Sequence, residues 1–281
     1  MPGAARLFAP FEGTRDPGPL AIVRVAFFTG LLVHFAPSLI WLDVGYGRGA
    51  VRTDAWNHFL FSHLHAIPDP VVRIFATVTL LAIVAAIVNL APRVSAAIAG
   101  VGCYAFASFN SIHLQTLALI PAWAILILWI VCAPPRKAER IPSLLPSLIL
   151  FQVLLAVWFS GVEKLLAGWP WSNEMGIVLA YPHGFLVRDW ASGLFVPVAG
   201  VFTWATLAIE LGTPILLLVR RTRIWALVAY ELFFLGIIAM LEVPPLFYFI
   251  FASAPVLALD DAQLASARTW VRRRVRPRTA S

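Results

Sequence analysis

The sequence predicts an all-α protein, a polytopic integral membrane helix bundle with about eight transmembrane helices and short interfacial helices in its outer loops. Composition is the first reason, because 60% of the 281 residues are hydrophobic and only 12% are charged. Soluble domains carry about a quarter charged residues, and the mean hydropathy of this chain is +0.85. A chain with so little polar surface belongs in a membrane.

Eight apolar runs are the second reason, since most of them are long enough to cross about 30 Å of hydrocarbon. The third and the last are short, and clusters of proline and arginine end several of the others. The runs are Leu20–Leu42, Val71–Ala91, Val94–Asn110, His113–Ala133, Ser143–Ala167, Leu194–Val219, Ile224–Leu241 and Pro244–Leu259. The first run is too long for the apolar region of a cleavable signal peptide, so we expect it to remain as an anchor.

The distribution of basic residues predicts the orientation of these helices. When the N-terminus is placed in the cytoplasm, most of the 21 lysines and arginines fall on the inner side, as the positive-inside rule requires. An even number of helices then puts both termini in the cytoplasm, with the chain in the inner (plasma) membrane of a bacterium. Three parts follow: a cytoplasmic N-terminal segment (1–19), a transmembrane domain (20–261) and a basic cytoplasmic tail (262–281).

The net charge of +7 does not predict nucleic-acid binding, because the basic residues lie in short clusters beside apolar runs and no aromatic-interleaved basic face accompanies them. Such clusters fix topology or contact anionic lipids, so membrane lipids are the expected partner. No metal site is predicted, since His58, His63 and His65 have no cysteine or aspartate at a zinc-ligand spacing. Cys103 and Cys132 fall at different depths, so no disulfide is expected.

Ionisable side chains in or beside hydrocarbon are the candidate functional residues, because burying a charge is costly. Lys164 lies near the outer end of the fifth run. A desolvated lysine loses its proton readily and becomes a base or nucleophile. A lysine that snorkels to the interface stays charged, with or without Glu163 as its partner. On the same outer side His113 follows Asn110, where it either orients or protonates a ligand or forms interfacial hydrogen bonds.

Two carboxylates also lie inside apolar runs. Glu210 in the sixth run and Glu231 in the seventh have similar predicted depths. They share a proton, or one of them pairs with Arg24 of the first run, or they form hydrogen bonds between helices. These alternatives stay open. His34 stands alone in the first run, which is typical of a packing residue rather than a ligand.

Several stretches of the chain match one known pattern. They are Arg24-Val25-Ala26-Phe27, Ala66-Ile67-Pro68, Asn110-Ser111-Ile112-His113, Phe159-Ser160-Gly161-Val162-Glu163-Lys164-Leu165 with Trp169 and residues 172–175 after it, and Ala252-Ser253-Ala254-Pro255. Together they resemble the membrane domain of the vitamin K-dependent gamma-carboxylase family, within the wider bacterial HTTM superfamily (horizontally transferred transmembrane domain). The resemblance covers about Leu20 to Asp261, and its most specific part is the segment around Lys164.

This resemblance implies that Lys164 is the base that deprotonates a reduced quinone such as vitamin K, with His113 as its partner. Two positions depart from the family. Glu163 replaces the first lysine of a lysine pair, and a histidine of the family's seventh helix falls near Glu231. The soluble domain that helps the animal enzyme to capture protein substrates has no counterpart here, so we do not expect carboxylation of a protein substrate.

The residues and the resemblance together predict an outward-facing pocket, between the fourth to sixth helices, for a quinone-like or lipid-like ligand. The candidate catalytic residues are Lys164 and His113, and the candidate ligand-binding residues are Asn110, Glu163, Trp169 and Trp171. The alternative is a non-catalytic membrane partner or assembly factor, which binds another protein and uses its polar residues for helix packing. A transporter is less favoured, because the chain has no visible internal repeats.

Overall fold

A computed structural model describes residues 13–40, 69–109, 119–135, 138–180, 193, 195–240 and 245–275. Within these ranges the chain is almost wholly helical, which confirms the all-α class. The α-helices of this part are α1 (Gly18–Ile40), α2 (Asp69–Ile87), α3 (Pro92–Phe109), α4 (Leu119–Cys132), α5 (Leu144–Leu166), α6 (Glu174–Ala180), α7 (Ala199–Leu218), α8 (Arg223–Met240), α9 (Pro245–Ser253) and α10 (Asp261–Val275). Short 3₁₀ turns cover Trp169–Trp171, Val196–Val198 and Ala254–Ala258.

Each of the eight apolar runs overlaps one of these helices. Four segments of the described chain are long and apolar enough to cross a membrane, namely Gly18–Pro37, Pro70–Ile87, Leu144–Leu166 and Val196–Leu218. Two other apolar helices are shorter, Pro121–Cys132 and Leu246–Ala258. These helices indicate a membrane protein.

The helices pack against one another in chain order. Each of α1 to α4 contacts the helix that follows it, α5 contacts α7, α7 contacts α8, α8 contacts α9, and α9 contacts α1. The 3₁₀ turn Ala254–Ala258 also packs against α5. At the contact between α1 and α9, a Cβ atom on Gly30 would lie 2.7 Å from the Cβ of Phe249, so only glycine permits this close approach. The circuit of contacts is therefore closed by a helix pair that needs a small residue.

Large apolar side chains cover much of the outer surface. On α2, Ile74 and Leu81 are 65% and 64% exposed, whereas Ala76 and Ile83 face the core at 2% and 0%. Apolar surface of this extent is unfavourable in water but suits hydrocarbon. The core is aromatic in part, with Phe28 of α1 beside Trp129 of α4 at 6.1 Å between ring centroids.

One end of the bundle is tied together by backbone pairing. Strand β1 (Thr14–Arg15) pairs antiparallel with β2 (Ile141–Pro142). The Arg15 guanidinium donates hydrogen bonds to the carbonyls of Leu257 and Leu259, at 2.9 and 2.8 Å. The segment before α1, the connection from α4 to α5 and the chain after α9 therefore meet at this end.

Charged side chains at the same end form an ionic cluster, defined as Asp16, Arg140, Asp260, Asp261 and Arg268. Arg140 pairs with Asp261 at 2.8 Å, and Arg268 pairs with Asp16 at 2.8 Å. Asp260 exchanges hydrogen bonds with Gln263, a capping box that begins α10. Arg220 of the connection from α7 to α8 reaches Asp260 at 3.1 Å.

Two aspartates of the ionic cluster are held in their charged form. The Arg268 guanidinium, followed by the Gly18 N–H, lowers the pKa of Asp16 below its usual range. The backbone N–H of Asp16, followed by Arg140, lowers the pKa of Asp261. Each carboxylate therefore neutralises an arginine at the end of the bundle where the described part of the chain is most basic.

Candidate functional site

Lys164 of α5 and Glu210 of α7 form an ion pair inside the bundle. The Lys164 Nζ lies 2.7 Å from Oε1 of Glu210 and 2.8 Å from Oε2. Their side chains are only 20% and 9% exposed. Among the sequence-based alternatives for Glu210, a proton shared with Glu231 and a pair with Arg24 both give way to this contact, which joins residues 46 positions apart.

Ser160 completes the surroundings of the Lys164 ammonium. Its Oγ accepts a hydrogen bond from Nζ at 2.6 Å, four positions before the lysine and therefore one turn earlier on α5. The lysine side chain thus runs back toward the start of its helix, as helical side chains tend to do. An ammonium has three N–H donors, and Ser160 Oγ with the two Glu210 oxygens offers three acceptors.

Gly161 allows α7 to approach α5 at this point. A Cβ atom added there would lie 2.9 Å from Cδ2 of Leu211 and 3.0 Å from Cβ of Glu210, closer than side chains normally pack. The absence of a side chain at Gly161 therefore sets the short distance between the two helices. Small residues serve the same purpose at many helix contacts in membranes.

Beyond α5 the chain turns through Gly168, whose φ of 80° lies in the left-handed region that favours glycine. The turn leads into Trp169–Trp171 and returns the ring of Trp169 to the ion pair, with its centroid 5.6 Å from the Lys164 Nζ. A cation above an indole face is a favourable arrangement. Trp171 is 77% exposed, so its ring stands at the surface while Trp169 is partly buried.

The other predicted site residues lie in different places. Asn110 and His113 are outside the described residues, as are His58, His63 and His65. Glu163 is exposed, and the carboxylate that holds Lys164 belongs to Glu210 instead. Glu231 is partly buried on α8. The ring of His34 packs edge-on against Phe35 at 4.9 Å.

Arg24 lies at the far end of the bundle from the ion pair. It stands six positions after the start of α1, near the ionic cluster, whereas Lys164 stands two positions before the end of α5. Because α5 begins at the cluster and runs away from it, the length of that helix separates the two cations. Among the described residues, Glu210 forms its ion pair with Lys164.

Sequence reasoning missed Ser160 and Gly161. The signal for Ser160 was its spacing of four positions from Lys164, which places both side chains on one helix face. The signal for Gly161 was weaker, because a glycine in an apolar helix is common in membrane proteins. Within the described ranges, histidine, cysteine, aspartate and glutamate form no group of three that could hold a metal ion.

No family model, curated protein or solved structure matches the chain. Membership of the HTTM superfamily therefore stays a prediction that rests on the sequence motifs alone. The ion pair, Ser160 and Trp169 are the geometry from which a function can be inferred.

Breaking the ion pair from either side should destabilise the protein, whereas removing both charges should not. Leaving one charge of a buried pair without its partner costs about 3 kcal/mol or more, but apolar replacement of both is often nearly neutral. We expect Lys164→Met and Glu210→Met each to lose about 3 kcal/mol of unfolding free energy, and the double variant to recover most of it. Unfolding in detergent micelles measures this cycle, and additive losses would contradict the pairing.

The close approach at Gly161 gives a second prediction. Gly161→Ala should destabilise the protein by about 1–3 kcal/mol, because the added methyl group overpacks the contact between α5 and α7. Gly212→Ala on α7 is the matched control, since a Cβ there meets nothing within 4 Å and alanine is the better helix former. Thermal unfolding of both variants compares them, and equal stability would mean that the helices are not held this closely.

Proposed function

We propose that this protein is a bacterial HTTM-type multi-pass membrane protein that binds a quinone-like or lipid-like molecule at the outer end of its bundle and moves a proton there. The observation that carries the proposal is the ion pair of Lys164 and Glu210 beside Trp169. Charged groups inside a membrane are costly and usually serve a function. Here a base, an acid and an aromatic surface lie together where α5 packs against α7.

The proposed topology has eight transmembrane helices, α1 to α5 and α7 to α9, with both termini in the cytoplasm. The closed circuit of helix contacts supports this number, because each of these helices packs between two neighbours. The ionic cluster supports the orientation, since the chain before α1 and the chain after α9 meet at the arginine-rich end. The ion pair then faces the outer side.

The proton chemistry follows from the contacts of the ammonium. When a ligand with an acidic hydroxyl enters, Lys164 passes one proton to Glu210, leaving a neutral amine and a carboxylic acid. The amine then accepts the hydroxyl proton of the ligand, and an anionic ligand stays beside the ammonium. Ser160 holds Nζ in place through both steps, and Trp169 offers an apolar face for a flat ring.

A non-catalytic membrane partner or assembly factor is the second candidate function. One observation favours it: every N–H of the Lys164 ammonium has an acceptor at hydrogen-bond distance. An ion pair whose donors all have acceptors needs no ligand, and holding α5 and α7 together is a sufficient role for it. The two candidates differ in whether the pair opens toward a ligand.

The ligand test uses the full chain purified in mild detergent. Small molecules extracted from it are identified by mass spectrometry, and a naphthohydroquinone is added without oxygen as the probe. We expect the wild type to bind the probe and to give the absorption band of its anion, and Lys164→Met to lose that band. Glu174→Gln, an exposed carboxylate on α6, is the control that keeps it. No bound small molecule and no binding of the probe, together with a stable protein partner, would support the second candidate instead.

The topology test uses single cysteines in a background with Cys103 and Cys132 replaced by alanine. Ser172→Cys follows α5, and Arg221→Cys lies between α7 and α8; both positions are exposed. In spheroplasts, whose plasma membrane is intact, we expect a membrane-impermeant maleimide to label position 172 and not position 221. Labelling of position 221 alone would reverse the orientation, and labelling of both would contradict a crossing by α7.

A further inference from the structure

A cavity of about 360 Å³ opens at the end of the bundle that holds the ionic cluster, far from Lys164. The first turns of α1, the connection from α2 to α3 and the chain around the end of α4 form its walls. The volume falls within the range of small-molecule sites, about 300–1,000 Å³. It is independent of the function proposed above, because no residue of that site lines it.

Arg24 is the cation of this cavity. It stands six residues into α1, and a helical side chain runs toward the start of its helix, which here is the cavity end. Its Nε is buried and has no hydrogen-bond partner among the described residues. Most other arginines at this end have partners, as Arg15, Arg140 and Arg268 do. Arg24 therefore has an unpaired donor, its Nε, at the wall of this cavity.

Trp129 adds a second unpaired donor. It lines the same cavity from α4 and is 1% exposed, and its Nε1 has no acceptor within the described part of the chain. An indole nitrogen can only donate a hydrogen bond, and so can a guanidinium. Buried donors normally have partners, so two unpaired donors in one cavity indicate a missing acceptor.

The charge of the walls identifies that acceptor. None of the described residues that line the cavity is acidic, and Asn89 adds an amide. The nearest carboxylate along the chain, Asp16, is taken by Arg268 and by the Gly18 N–H. A guanidinium with an unpaired Nε and an indole N–H in the same cavity, with no carboxylate among the described lining residues, are suited to phosphate oxygens.

We propose that this cavity binds the phosphate of an anionic membrane phospholipid, with Arg24 and Trp129 as its donors. The apolar wall supports a lipid over a soluble anion, because Leu20, Ala21 and Val88 line the cavity and Val88 is 55% exposed to the surroundings. The acyl chains of a lipid can pack against this apolar wall. The basic end of the bundle also suits the leaflet that is rich in anionic lipid.

Native mass spectrometry of the full chain in detergent micelles tests this proposal, with phosphatidylglycerol and phosphatidylcholine as the probes. We expect the wild type to retain phosphatidylglycerol about tenfold more strongly than phosphatidylcholine, a preference typical of charge-assisted hydrogen bonds. Arg24→Gln should remove the preference, and Trp129→Phe should weaken it. Arg221→Gln is the control for general attraction, since Arg221 is exposed at the same end, and it should keep the preference.

Three outcomes would overturn the proposal. The first is that the wild type shows no preference for phosphatidylglycerol. This measurement needs no variant, so it tests the proposal even if Arg24→Gln fails to fold. Arg221→Gln could lower the preference as much as Arg24→Gln, which would reduce it to surface charge. Millimolar inorganic phosphate could displace the bound lipid from the wild type, which would assign the cavity to a free anion. Arg24→Lys keeps the charge and should give an intermediate preference, because the ammonium of lysine lacks the planar, forked donors of a guanidinium.

Discussion

A charged group in hydrocarbon must find a partner or reach water, and the bundle depends on how its few charges meet this requirement. Lys164 meets it through Glu210, and the pair fixes how α5 and α7 approach each other. Because both side chains are largely buried, water cannot fully solvate the charge of either one. Gly161 lets the two helices come close enough for the pair to form. The close packing at Gly161 and the ion pair of Lys164 and Glu210 therefore depend on each other.

The two ends of the bundle carry different chemistry. At one end, arginines and aspartates from three parts of the chain form the ionic cluster, and Arg220 from a fourth part pairs with Asp260. At the other, one lysine, one glutamate and an indole ring lie among apolar side chains. Exposed ion pairs add little stability, so the cluster positions the ends of helices. The buried pair of Lys164 and Glu210 has few other possible partners, so it specifies the contact between α5 and α7.

The apolar runs predicted the helices well because long stretches of hydrophobic residues have few other structures in a membrane. The run Ser143–Ala167 became α5, Leu144–Leu166, and the run Ile224–Leu241 became α8, Arg223–Met240. Lys164 was also singled out, since it is a charge near the end of an apolar run, and the structure pairs it with Glu210. Its partner was not predicted. For Glu210, the sequence left open a proton shared with Glu231, a pair with Arg24 or a hydrogen bond between helices, because counting residues gives a rough depth but not the neighbours of a helix.

By itself, the sequence determined that this chain is helical and belongs in a membrane, because hydrophobic length and scarcity of charge leave no other economical way to satisfy the backbone. It also marked the ionisable residues that need an explanation. Only the tertiary structure decided that Glu210 holds Lys164, that Ser160 completes the site and that Arg24 faces a cavity with Trp129. Those facts depend on which helices are neighbours and how they are rotated, and both follow from packing between residues far apart in the chain.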